Sequence, residues 1–183
     1  MASSFTISTR HRSSILSLGR LRPDEKLLVS RFFAPGSTGP VNYAGKELWL
    51  SQRVSMRPTT RIHVYFENYR TTPRQGLAIS CASGEKRLRT NEQTSSGFTL
   101  WTDTAPKHVE VEYVAKRATD DLLLMNVWSL PEYPELRLSG INAAAMMVTP
   151  IRENEVRLAC NDGYGLEEPT FTDLVVRVVF EVR

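Results

Sequence analysis

The chain has 183 residues, 41% of them hydrophobic and 23% charged, with a formal net charge of +3 at neutral pH. That length suits one domain, able to bury a core without a disulfide or metal staple, and the composition excludes a disordered or fibrous chain. No apolar run approaches the roughly 18 residues of a membrane helix, so no membrane span is expected, and the small positive surplus does not by itself indicate a nucleic-acid protein.

Residues 1–22 carry Arg10, His11, Arg12, Arg20 and Arg22, no acidic residue, and many Ser and Thr. This composition suits a transit peptide, or a basic arm for nucleic acid or another anionic partner. Phe5 and Ile7 alternate with polar residues, which favours a first strand. Pro23, Asp24 and Glu25 make residues 23–29 the one helix suspect, because Pro fits the first helical position and acids fit the first turn. Residues 26–33 also read as a strand, and 35–45 as a long loop or a handover from an N-terminal hairpin to the main sandwich.

Beyond that point the dominant signal is period-two alternation of β-branched and aromatic residues, which predicts strands with one face on a core. In residues 61–66, Ile62, Val64 and Phe66 oppose Arg61, His63 and Tyr65. In 107–113, Val109, Val111 and Tyr113 oppose His108, Glu110 and Glu112. In 173–183, Val176, Val178, Phe180 and Val182 oppose Val175, Arg177, Val179, Glu181 and Arg183. Further strands are expected at 47–56, 76–81, 97–101, 122–128, 136–141, 145–148 and 155–160. Turn signals separate them: Gly39-Pro40, Thr72-Pro73, Ser83-Gly84, Ser96-Gly97, Pro131 to Pro134, and Asn161-Asp162-Gly163. About ten short strands without a βαβ rhythm predict an all-β fold. We expect one antiparallel β-sandwich domain over residues 1–183, jelly-roll-like and with little helix.

Cys81 and Cys160 lack the paired spacing of a zinc site and are expected as buried thiols. A bridge between them would need Cα atoms within roughly 7 Å. His11, His63 and His108 show no metal-ligand spacing, and no Gly-x-Ser-x-Gly elbow or phosphate-binding glycine loop occurs. The two strand histidines read as surface residues, and the chain is not expected to be an enzyme.

The most distinctive segment is residues 160–173, which packs Asn161, Asp162, Glu167, Glu168 and Asp173 with two glycines between two strands. Hard cations such as Ca²⁺ take six to eight oxygens from carboxylates, amides and carbonyls. Asp162, Glu167, Glu168 and Asp173 are therefore the candidate metal ligands. The run Asp173-Leu174-Val175-Val176-Arg177-Val178 resembles the final strand of calcium-binding, lectin-like β-sandwiches, in which an acidic loop runs into an Asp–aliphatic strand. That resemblance covers this loop and strand alone, and it implies a calcium-assisted sugar site.

Exposed rings beside hydrogen-bonding groups suit carbohydrate stacking, which makes Tyr164, Trp101, Tyr133 and Asn161 the candidate ligand-binding residues. Arg70, Arg74, Lys86, Arg87 and Arg89 would form a basic patch if the turns flanking the strand of Cys81 met. The expected function is a non-catalytic, oligomeric, lectin-like module that binds a carbohydrate or similar polar ligand through its end loops. The alternative is a capsid-like, self-assembling jelly roll whose residues 1–22 form the basic arm, the one part suited to nucleic acid.

Overall fold

The computed structural model describes residues 33, 37–115, 121–139, 144–162, 164 and 169–183. The basic segment 1–22 and the helix suspect 23–29 lie outside these residues, as does all of the predicted strand 26–33 except Phe33. The described residues form fourteen antiparallel strands and no helix.

A seven-stranded sheet runs in the order β12 (Ala145–Arg152), β13 (Glu155–Asn161), β14 (Leu174–Val182), β4 (Thr60–Tyr69), β9 (His108–Tyr113), β6 (Leu88–Thr90) and β7 (Gln93–Ser95). A five-stranded sheet runs β11 (Tyr133–Leu138), β10 (Asp121–Leu130), β5 (Arg74–Cys81) and β8 (Gly97–Trp101). In that sheet β3 (Gln52–Ser55) also pairs with β10, at Asp121–Leu124, while β11 takes the same edge further on, from Trp128 to Leu130. A hairpin of β1 (Val41–Tyr43) and β2 (Lys46–Leu48) stands apart.

The alternation in the sequence decides which side chains meet between the sheets. Ile62, Val64, Val111, Tyr113, Val176, Val178 and Phe180 from the larger sheet share one core with Leu77, Ile79, Leu122 and Leu124 from the smaller. Both cysteines join that core as thiols. Burial pushes the Cys160 thiol far above its ordinary range, with the Asp173 charge acting in the same direction. Two positions depart from the expected alternation. Val182 is exposed at its strand end, and a bulge between Val175 and Val176 lets both be buried. On the outer face of β12 and β13, Ala145 and Ala159 pack with Leu48 of the hairpin, Phe33 and Phe171.

Short strands account for most of the excess over ten. Three residues, as in β1, β2, β6 and β7, are too few to display a period. The expected strand 47–56 is broken where Leu50 and Ser51 both donate their N–H groups to the Thr38 carbonyl. Before the break, Trp49 bridges to Met146 of β12. Pro131 to Pro134 is only half a turn: β11 starts at Tyr133 and includes Pro134. That is compatible with an edge strand, where a missing N–H disturbs no inner ladder.

Candidate functional site

The residues singled out in the sequence gather at one end of the sandwich. β4 ends there at Tyr69, paired with Leu174, and β5 begins there at Arg74, paired with Ser129. The two described margins of the acidic loop clip together. The Asp162 N–H donates to Asp173 Oδ2 at 2.9 Å, and the Asp173 N–H donates to the Cys160 carbonyl at 3.1 Å.

Asp162 is buried, its side chain fully out of water. Its Oδ2 accepts from Gln75 Nε2 at 2.6 Å and its Oδ1 from the Tyr164 N–H at 2.8 Å. Gln75 occupies an inward position of β5, next to Leu77 in the 75, 77, 79, 81 series, and is itself fully buried. Its amide nitrogen also donates to the Pro73 carbonyl, and two acceptors on one side fix the amide orientation. Arg70 Nη1 lies 3.4 Å from Asp173 Oδ1 and 3.8 Å from Asp162 Oδ2, so one guanidinium spans both carboxylates. Burial pushes the Asp162 carboxyl up to about 6, and Asp173 adds to that rise. The Tyr164 N–H, Gln75 and Arg70 oppose it without cancelling it.

Further side chains extend the network. Asn126 Nδ2 donates to the Asn161 carbonyl at 3.0 Å, and Asn161 Nδ2 donates to the Asp162 carbonyl at 2.7 Å. Asn161 is therefore a buried support rather than a surface contact. Gln75 Oε1 and Trp128 Nε1, on cross-strand partners, are both buried with no hydrogen-bond partner among the described residues, as is the neighbouring Ser129 Oγ. An unmade acceptor and an unmade donor thus sit on paired positions of β5 and β10.

The aromatic residues differ in availability. Tyr164 is 40% exposed and Tyr133 56%. Register places Tyr133 opposite Leu130, one residue past the Ser129–Arg74 pair, and so at this same end. Trp101 is half-buried against Gly76, on the outer face of the smaller sheet. Arg74 already covers its ring at 4.4 Å and pairs with Asp103 at 2.8 Å. Glu167 and Glu168 lie outside the described residues. Among the described residues no group of three or more His, Cys, Asp or Glu side chains is arranged to hold a metal ion. Arg70 stands as the cation between Asp162 and Asp173.

Two clusters were not foreseen. On the outer face of the larger sheet, His63 Nε2 lies 3.2 Å from Glu181 Oε2, and His63 Nδ1 lies 3.1 Å from His108 Nε2. A carboxylate can only accept, so Nε2 of His63 carries a proton. With His63 neutral, His108 Nε2 is then the donor to Nδ1. Tyr65 stacks on His108 at 4.5 Å, and the Arg177 guanidinium lies 4.1 Å over Tyr65. Among the described residues no hydroxyl or thiol bonds to either imidazole.

The second unforeseen feature is the fate of the basic patch. β5 separates its two halves: Arg70 and Arg74 stay with Asp162, whereas Arg89 lies at the other end, paired with Glu112. Sequence proximity misleads here because an extended strand of eight residues spans roughly 26 Å.

Compared with known proteins, the chain matches no family model, no curated protein and no solved structure. Among the described residues no helix is long and apolar enough to cross a membrane.

Proposed function

We propose that the protein is a non-catalytic binding module that takes a carbohydrate or a similar polyhydroxylated ligand at the Asp162 end of its β-sandwich. The observation that carries this reading is convergence. Four different segments bring the exposed rings of Tyr164 and Tyr133 and the charged groups of Arg70, Arg74, Asp103 and Asp173 to one end. Amphipathic rings beside fixed hydrogen-bonding groups suit ligands that are apolar on one face and polar at their rim. The buried Asp162–Gln75 pair, flanked by the exposed Arg70, supports the reading by holding the Tyr164 backbone in place.

The test is a glycan-array screen followed by calorimetric titration of the best ligand, in EDTA and then in millimolar Ca²⁺. Tyr164→Ala and Tyr133→Ala should each weaken binding about tenfold, equivalent to about 1.4 kcal/mol, while leaving the melting temperature unchanged. Absence of any glycan ligand, or binding indifferent to both substitutions, would overturn the proposal. Equal affinity in EDTA and Ca²⁺ would remove calcium from it. A large particle on size-exclusion chromatography, without glycan binding, would favour the self-assembling reading instead.

A further inference from the structure

We infer that the opposite end of the sandwich holds a second site, for a small oxoanion of the phosphate or sulfate class. β4 runs from this end, at Thr60, to the Asp162 end, at Tyr69, so the two sites are roughly 30 Å apart. The inference does not depend on the glycan reading.

A cavity of about 190 Å³ is lined here by Thr59, Thr60, Arg61, Arg89, Glu112 and Arg183, together with Tyr113 and Val114 at the end of β9. Three guanidinium groups thus face one carboxylate. Arg89 Nε donates to Glu112 Oε2 at 3.0 Å, and Arg89 Nη2 contacts the same oxygen. Arg183 Nη1 lies 3.4 Å from Glu112 Oε1, and Arg61 Nη2 lies 4.0 Å from it. Arg61 is also ion-paired with Glu110, its Nε 2.8 Å from Oε1. Among the described residues the buried Nε nonetheless has no hydrogen-bond partner. Among the side chains of the described residues, three guanidinium groups here meet the two carboxylates of Glu112 and Glu110.

The donor count points the same way. Each guanidinium has five N–H groups and a carboxylate about four acceptor sites, so Glu112 cannot occupy its three neighbours. A planar carboxylate also accepts within one plane, whereas a tetrahedral oxoanion offers oxygens in several directions to guanidinium forks. The cavity is smaller than the roughly 300 Å³ at which pockets for drug-sized ligands begin, which matches a compact anion. The backbone adds an independent sign. Thr59, a β-branched residue at the rim, is held at φ 57°, a left-handed conformation that such residues rarely adopt. There its carbonyl accepts from the Arg183 N–H at 3.2 Å, tying strain to the placement of one of the arginines.

The experiment is calorimetric titration of the full chain with inorganic phosphate, sulfate and adenosine monophosphate, at ionic strength matched with chloride. Phosphate or sulfate should bind saturably, with Kd below about 1 mM. Arg89→Gln and Arg183→Gln should each weaken binding about tenfold, because each removes charged donors. Glu112→Gln should strengthen it, since the competing carboxylate goes. Arg157→Gln, on the same sheet away from the cavity, should change nothing. Binding of the nucleotide as well as phosphate would identify the natural ligand as a phosphate monoester; binding of inorganic anions alone would identify a free oxoanion. No saturable binding, or binding unaffected by Arg89→Gln and Arg183→Gln, would overturn the inference. Should Glu112→Gln fail to fold, the two arginine variants decide alone.

Discussion

The two ends of this sandwich treat a carboxylate in opposite ways. Asp162 is sealed from water and held by one side-chain amide, one backbone N–H and a distant guanidinium. Glu112 is partly exposed and surrounded by three guanidinium groups. Burial dominates at the first end, where the acid's affinity for a proton rises despite its donors. Surplus cationic charge dominates at the second, where the acid is outnumbered. A carboxylate of the first kind fixes backbone around a loop, whereas the second leaves donors for an incoming anion.

Four substitutions would break or sharpen this contrast. The largest effect belongs to an acid with neither kind of protection. Val178→Asp places a carboxylate at a fully buried core position without a partner, and should cost more than about 4 kcal/mol. Loss of cooperative unfolding by circular dichroism is the expected sign; an intact melt would refute the core assignment of β14.

Next comes the titration of Asp162. Its folded value of about 6 lies above the ordinary 3.8, so between these values the folded chain holds a proton that the unfolded chain releases. Its contribution to stability is therefore greatest below pH 4 and declines as pH rises to about 6. At about 1.4 kcal/mol per pH unit, the decline is about 3 kcal/mol. Urea titrations of wild type and Asp162→Asn across pH 4 to 7 should show their stability difference changing by that amount, and a constant difference would contradict it.

Gln75→Leu tests the donor side of the same end. Removing a hydrogen bond to a buried charged group should destabilise the fold by about 2 kcal/mol at neutral pH, read from the shift in urea midpoint. At the other end Arg89→Gln should change stability by less than about 1 kcal/mol, because its ion pair with Glu112 is solvent-exposed. A loss above about 2 kcal/mol there would mean that the arginine cage is structural, and the contrast between the ends would fail.

What was legible in the sequence was the face of each strand; the partner of each strand was not. Alternation put His63, His108 and Glu181 on polar faces, but they meet only because β14, β4 and β9 are neighbours in the sheet. They lie 45 and 118 residues apart in sequence. The reverse error affected the arginines, which are close in sequence and divided by β5. Asp162 and Asp173 were visible as oxygen-rich loop residues, yet their main neighbours were not. Gln75 had a signal that could have been read: a polar side chain in the inward series of an otherwise apolar strand asks for a buried partner. Arg70 had none, since a turn arginine usually faces solvent.

The chain passes from the outermost strand of the larger sheet, β7, to the outermost strand of the smaller, β8, through the single residue Ser96. That side of the sandwich is sewn shut by its own backbone. The opposite side is bounded by β12 and by β3 and β11, and its margins are where a strand from another molecule could be added. Trp49 already occupies β12 at Met146, and both β12 and β11 carry a proline, Pro150 and Pro134. Proline offers no donor to an arriving strand. Among the described residues, growth by sheet extension is thus interrupted at β12 and at β11, which leaves the four residues of β3 as the short remaining stretch of open edge.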